Sequence, residues 1–275
     1  MTPRNKKQSI VASAYAVIFG LIAFWVYVSF LKAPETCSDG LKNQNEAAID
    51  CGGVCGACQE KLPAVALQVM ETSLVYGDAG HSDVLAKVYN PNDNYGASRF
   101  SYTVFVKDAQ GNVVSQRTDT SFILPKETKY LMQIGLETQS AAKNAEVSID
   151  NAIDWDTFSG YKEKPVLNIG YKRYGPVTSG IGFGQVDGTL TNDSGFDFQS
   201  LIVKVILRDI DKKPIAINQT EMRTVIASER RDFRLIWPTY FAGDVNSVET
   251  ETEADVYRSD NFIRKYLPGG AFQQF

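Results

Sequence analysis

The chain has 275 residues, enough for one large domain or for two domains of ordinary size. Hydrophobic residues make up 44% of it and charged residues 22%, proportions that exclude an intrinsically disordered protein. The net charge of −4 gives no indication of a basic surface of the kind that binds nucleic acid. The chain has a single histidine, His81, so histidine-based proton transfer or metal binding could involve only this residue.

An uncharged apolar run near the N-terminus predicts a transmembrane helix. Residues 10–31 carry no charge, and about 22 helical residues span about 33 Å, enough to cross a bilayer core. Basic residues precede the run and acidic ones follow it, so the positive-inside rule places the N-terminus in the cytoplasm. The run is too long for the apolar core of a cleaved signal peptide. We expect a cytoplasmic stub at 1–8, a transmembrane helix at 9–31, and a single-pass protein of the cell membrane with extracytoplasmic C-terminal domains.

All the cysteines lie in one short segment after this run, at Cys37, Cys51, Cys55 and Cys58. In an exported chain such a cluster predicts disulfide bonds, and four cysteines leave three pairings open. The segment has too few apolar residues for a core, so covalent bridges must supply its order. We therefore expect a small disulfide-rich neck at 32–62. A zinc site and a redox-active pair are the alternatives, but the first usually needs two close cysteine pairs and the second a βαβ unit.

Oxygen donors in the neck suggest a cation site. Asp39, Asn43, Glu46 and Asp50 are candidate ligands for Ca²⁺, although their spacing is not that of an EF-hand loop. The alternative is that they are solvated turn and capping residues.

The cysteine segment resembles a motif of known proteins. Its sequence fits C-x-D-G-x-x-N-x-x-E-x-x-x-D-C-G-G-x-C-x-x-C at every fixed position. This motif recurs in exported, often repetitive bacterial surface proteins, including some from uncultivated lineages with reduced genomes. The resemblance implies an extracytoplasmic linker that is disulfide-bonded or binds a cation, and it implies no activity.

The rest of the chain has the pattern of an all-β protein with an internal repeat. Residues 100–106 alternate large apolar with smaller or polar side chains, and residues 201–207 occupy the corresponding place in a second copy. Asn90 corresponds to Asn192 at an offset of 102 residues, and Glu127 to Glu229 at the same offset. Such a long period predicts tandem domains. About seven short strands in each copy predict two immunoglobulin- or fibronectin-like β-sandwiches, at 63–158 and 164–258, followed by a tail at 259–275.

The order of features in each copy resembles the late-embryogenesis-abundant water-stress domain and the related bacterial FxLYD-type domains. Shared features are a strand that ends in Asn, an apolar strand, a D-x-x-G-like turn, and a Pro/Glu corner. In the second copy, Lys212 and Lys213 stand where glycine is expected. The resemblance implies a fibronectin-like sandwich with a binding or spacer role. The short linker near 158–165 predicts that the two domains stand end to end.

Residues for catalysis are not arranged in a recognisable pattern. His81 precedes a predicted strand without a G-x-S-x-G motif, and the glycine-rich segment 180–184 lacks the Lys-Ser/Thr ending of a phosphate loop. We expect a non-enzymatic adhesion, scaffold or envelope-assembly protein with an unknown protein partner and no nucleic-acid partner. The alternative is an accessory subunit of a membrane complex such as a secretion or pilus apparatus.

Overall fold

The computed structural model describes two compact units, Met1–Lys61 and Leu62–Phe275. The described residues are 3–27, 37, 45–46, 51–55, 64–76, 80–138, 141–158, 160–162 and 164–267. Within the N-terminal helix, side chains are described at 13 and 15–27.

The first unit contains helix α1, Pro3–Val26. Among the residues that the structure describes, no helix is long and apolar enough to cross a membrane. The prediction of a single-pass anchor at 9–31, and of a cell-membrane localisation with extracytoplasmic domains, is therefore wrong.

The first half of the second unit contains six strands that form two antiparallel sheets. The sheets have the strand orders β1-β2-β5 and β4-β3-β6. The strands are β1 Gln68–Tyr76, β2 His81–Tyr89, β3 Tyr95–Lys107, β4 Val113–Ile123, β5 Thr128–Glu137 and β6 Asn144–Thr157.

The second half repeats this topology in the orders β7-β8-β11 and β10-β9-β12. A 3-10 turn, Val256–Arg258, and helix α2, Asp260–Tyr266, follow it. The strands are β7 Leu167–Pro176, β8 Gly184–Asn192, β9 Phe198–Arg208, β10 Pro214–Val225, β11 Arg230–Trp237 and β12 Ser247–Ala254. The all-β prediction is confirmed.

Side-chain alternation along the strands creates one apolar core in each half. In β2, Val84, Ala86 and Val88 point between the two sheets of the first half, and all three are buried. In β9, Val203 and Val205 do the same in the second half. Each half is therefore a pair of sheets packed around its own core.

The predicted repeat is visible in matching hydrogen bonds. The side-chain amide of Asn90 donates to the backbone oxygen of Leu124, and that of Asn192 donates to the backbone oxygen of Ile226. The distances are 2.8 and 2.9 Å, and the offset is 102 in both cases, since 192 − 90 = 102 and 226 − 124 = 102. Both asparagines are fully buried, so these bonds fasten the same corner in each half.

The two halves pack through sheet faces, which contradicts the end-to-end arrangement expected from the short linker. Leu85 and Met132 project from the outer face of β1-β2-β5 and form an apolar cluster with Ile206 and Ile217 of β9 and β10. Leu85 points outward because its neighbours in β2 point into the first core. The linker pattern did not reveal this second apolar face.

The equivalent outer face of the second half is polar. At the offset of 102 residues, Leu85 corresponds to Asp187 and Met132 to Arg234. Arg234 Nε and Asp187 Oδ1 form an ion pair at 2.6 Å, with 60% and 43% of their side-chain surfaces exposed. The polar face explains why the stacking of sheets ends there, because a charged pair loses its hydration when it is buried.

Candidate functional site

The cysteine segment contains a disulfide bond, as its pattern predicted. Cys37 and Cys55 are bonded, with their Cα atoms 5.6 Å apart. Cys51 is also disulfide-bonded, and Cys58 lies outside the described residues. Both sulfur atoms of the Cys37–Cys55 bridge are therefore unable to act as thiolate ligands for zinc.

One of the four predicted calcium ligands is described. Glu46 is 5% exposed, and its Oε1 lies 3.2 Å from Sγ of Cys55. Asp39, Asn43 and Asp50 lie outside the described residues. Within the part of the chain that is described, the group of Cys37, Glu46 and Cys55 brings three potential ligand atoms together, but its two sulfurs form the disulfide. Calcium binding remains a prediction.

A buried group of charged side chains joins the two halves of the second unit. Lys204 on β9 is 3% exposed and Lys129 on β5 is 1% exposed. Lys204 Nζ lies 3.2 Å from Oε1 of Glu251 and also pairs with Glu253. Lys129 Nζ lies 3.0 Å from Oε2 of Glu253, so this carboxylate contacts one lysine from each half. We call these four residues the lysine–glutamate cluster.

The cluster shifts the pKa values of its members. Burial alone raises the pKa of Glu253, but the charges of Lys129 and Lys204 outweigh it and lower the pKa to about 2. The pKa of Glu251 is raised, because burial outweighs the charge of Lys204 and the hydrogen bond from the Tyr130 backbone. Burial lowers the pKa of Lys204, but the charges of Glu253 and Glu251 hold it above its usual value. The cluster therefore keeps Lys204 and Glu253 ionised inside the protein.

Tyr130 extends the cluster to the edge of the interface. Its backbone N–H donates to both carboxylate oxygens of Glu251 at 3.0 Å, and its hydroxyl donates to Oε1 of Glu249 at 2.9 Å. Arg208 donates to the same hydroxyl at 3.1 Å and pairs with Glu249 at 2.6 Å. Burial and the nearby Glu249 raise the pKa of Tyr130 to about 12. The interface thus combines apolar contacts with satisfied polar groups.

Two cavities adjoin each other, and residues 249–252 of β12 line the second of them. Their volumes are about 490 and 530 Å³, and both are lined by Thr128 and Lys164. The walls also carry Lys87, Lys126 and Lys162. We call this continuous depression the lysine groove.

A second exposed surface lies at the end of the second half that is opposite its Asn192 corner. Ile181 is 91% exposed and Tyr240 is 68% exposed, and the partly exposed Phe183 packs against Tyr240 with ring centroids 5.0 Å apart. Gly182 has a φ of 146°, and a Cβ there would lie 2.5 Å from a methyl carbon of Ile236. The loop is therefore held closely against β11. We call these exposed side chains the apolar tip.

His81 is exposed at the start of β2 and is paired in register with Glu137, while its neighbour Ser82 is 2% exposed. The glycine-rich segment leads into β8 instead of a helix, so it lacks the geometry of a phosphate loop.

Comparison with known proteins gives no assignment: no family model matches the sequence, and no curated protein matches it. The site must therefore be interpreted from its own chemistry. Sequence reasoning missed the lysine–glutamate cluster, although a signal was present. Lys204 interrupts an otherwise apolar strand, and a lysine in such a run needs a buried partner.

Proposed function

We propose that the second unit is a non-enzymatic adhesion or scaffold module, built as two tandem immunoglobulin-like β-sandwiches with bounds near 63–158 and 164–258. The topology supports this assignment, because each half pairs two three-stranded antiparallel sheets around an apolar core. The resemblance to water-stress and FxLYD-type domains points to the same binding or spacer role.

The observation that carries the proposal is the interface between the halves. A scaffold must hold its contact surfaces at fixed positions, and here Leu85 and Met132 pack against Ile206 and Ile217. The lysine–glutamate cluster adds the ion pair of Lys129 with Glu253, which is lost if the halves separate. This construction favours a rigid body over two independent domains on a flexible linker.

The apolar tip is the surface that best suits a protein partner. Exposed large apolar side chains on adjacent loops are typical of interaction sites, and aromatic residues often dominate the binding energy. Tyr240 supplies an aromatic anchor, and Ile181 projects beside a loop that Gly182 holds closely against β11.

The test compares partner recovery by three tagged proteins after cross-linking in the native source. We expect the Ile181→Ser/Tyr240→Ser variant to recover at least about fivefold less of a partner than the natural sequence. Val113→Ser is the matched control, because it removes a half-exposed apolar side chain from the first half. Equal recovery by the tip variant and the control contradicts the proposed contact surface.

Two further results bear on the class of function. A partner recovered at fixed stoichiometry favours the role of accessory subunit over adhesion. A hydrolytic activity that is lost on His81→Ala contradicts both non-enzymatic roles.

A further inference from the structure

Three potential metal ligands lie together in the cysteine segment. The Sγ atoms of Cys37 and Cys55 and a carboxylate oxygen of Glu46 all lie within 4.8 Å of one another. Oε1 of Glu46 is 3.2 Å from Sγ of Cys55. The two sulfurs form a disulfide bond, and a disulfide sulfur has no proton to donate. The carboxylate therefore lies beside the bridge without receiving a hydrogen bond from it.

Burial distinguishes this carboxylate from an ordinary surface residue. Glu46 is 5% exposed and Cys55 is 7% exposed. Glutamate is rarely so buried unless it is paired or coordinates a metal ion. Cys37, by contrast, is exposed, so solvent and small reagents reach one side of the group. Two of the three ligands thus belong to buried residues and the third to an accessible one.

The position of Cys55 is fixed by the backbone as well as by the bridge. Its N–H donates to the backbone oxygen of Gly52 at 3.0 Å. Gly52 and Gly53 have φ angles of 80° and 60°, in the left-handed region that glycine adopts without strain. This turn does not involve Cys37. Cys55 therefore has a local means of keeping its place when the disulfide is open.

The distances fit a zinc ion once the bridge is reduced. Zinc binds thiolate sulfur at about 2.3 Å and carboxylate oxygen at about 2.0–2.2 Å, so a sulfur and an oxygen on one tetrahedral zinc lie about 3.6 Å apart. The contact of Glu46 with Cys55, at 3.2 Å, is close to this separation. The two sulfurs must separate to about 3.8 Å, which rotation about the Cα–Cβ bonds supplies. Two thiolates and one carboxylate suit zinc better than Ca²⁺, which prefers oxygen ligands.

We propose that reduction of the Cys37–Cys55 bridge turns this group into a zinc site, with the two thiolates and Glu46 as ligands and water in the fourth position. A dithiol reductant supplies the two electrons and two protons that convert the disulfide into two thiols, and it becomes a disulfide itself. Zinc then displaces both thiol protons to solvent. The metal replaces the covalent bond as the link between Cys37 and Cys55. The site lies in the first unit and does not depend on the binding role proposed for the second.

A zinc titration of the complete protein, in competition with a chromophoric chelator, tests the proposal. The protein is measured with the bridge intact, as verified by its mass, and after reduction by a dithiol that is then removed under nitrogen. We expect one Zn²⁺ per reduced chain, and at least about a hundredfold weaker binding by the oxidised protein. Absence of binding after reduction, or equal binding in both states, overturns the proposal.

Variants identify the carboxylate ligand. We expect Glu46→Gln to weaken zinc binding by the reduced protein at least about tenfold, because losing a ligand costs no less than losing a residue that orients one. Glu71→Gln is the matched control, since it removes the same charge from an exposed position on β1. We expect the control to bind zinc like the natural sequence. Equal affinities of the two variants contradict a role for Glu46.

Cobalt distinguishes this site from one made of all four cysteines. Co²⁺ occupies zinc positions and gives a thiolate charge-transfer band whose intensity rises with the number of bound thiolates. We expect the same intensity in the natural sequence and in Cys51→Ser/Cys58→Ser, because Cys37 and Cys55 supply both thiolates. A weaker band in this variant shows additional thiolate ligands and overturns the assignment. Failure of zinc binding leaves partner recovery through the apolar tip unaffected, so the two proposals can be told apart.

Discussion

Replacing Lys204 with methionine tests how much the buried lysine–glutamate cluster stabilises the second unit. Methionine keeps the apolar part of the side chain and removes the ammonium group. Glu251 then loses its lysine partner at 3.2 Å, and the backbone oxygen of Tyr130 loses a hydrogen bond. Glu253 keeps its contact with Lys129 at 3.0 Å.

The structure sets the expected magnitude. Removing one partner of a buried ion pair costs about 3–5 kcal/mol, because the other charge stays buried without compensation. Glu253 keeps one lysine and Glu251 keeps the Tyr130 N–H, so we expect the lower end, about 3 kcal/mol. Arg234→Met is the control. It breaks an ion pair that is largely exposed, and such pairs contribute about 0–1 kcal/mol.

Equilibrium unfolding in urea, followed by tryptophan fluorescence and circular dichroism, measures both variants. A loss for Lys204→Met that is no larger than the loss for Arg234→Met would refute the reasoning. The double variant Lys204→Met/Glu251→Gln provides a second check. It removes the stranded negative charge, keeps an acceptor for the Tyr130 N–H, and is expected to recover part of the lost stability.

Three further predictions follow from buried groups of the second unit. The lowered pKa of Glu253 stabilises the fold above about pH 4.5, and this stabilisation is lost as the pH falls towards 2. We therefore expect the free energy of unfolding, measured in urea, to fall less steeply between pH 4.5 and 2 in Glu253→Gln. Leu85→Asp places a carboxylate in the buried interface, at the position equivalent to Asp187. We expect the free energy of unfolding to fall by at least about 3 kcal/mol in the same assay, and a fall below about 1 kcal/mol contradicts the interface. The hydroxyl of Tyr257 has no hydrogen-bond partner among the described residues, so we expect Tyr257→Phe to leave the melting temperature unchanged or raise it, whereas a clear fall would indicate an unseen partner.

The prediction of the β fold succeeded because strand patterns are local. The alternation in residues 100–106 depends on adjacent side chains that point to opposite sides of a strand, which any sheet enforces. The correspondence of Asn90 with Asn192 was also readable, since a buried asparagine that fastens a corner must recur at the same place in each copy. Six described strands in each half replace the expected seven.

The candidate site was less accessible to sequence reasoning. The sequence predicted that the clustered cysteines form disulfide bonds, but four cysteines are compatible with three pairings. The fold selects the pairing of Cys37 with Cys55. The prediction of a membrane anchor was wrong, because no helix among the described residues is long and apolar enough to cross a membrane. The lysine groove involves β12 and the linker, which are far apart in sequence, so no local pattern marks it.

The sequence by itself determined the strands, the two copies and the apolar face that each strand turns towards its core. Tertiary structure alone decided how the copies meet. Leu85 and Lys204 lie 119 residues apart, and whether an outward side chain is exposed or buried depends on which sheet covers it. The positions equivalent to Leu85 and Met132 in the second half carry Asp187 and Arg234. The structure explains this difference, because the sheet face with Leu85 and Met132 is covered by the other half, whereas the face with Asp187 and Arg234 is exposed to solvent.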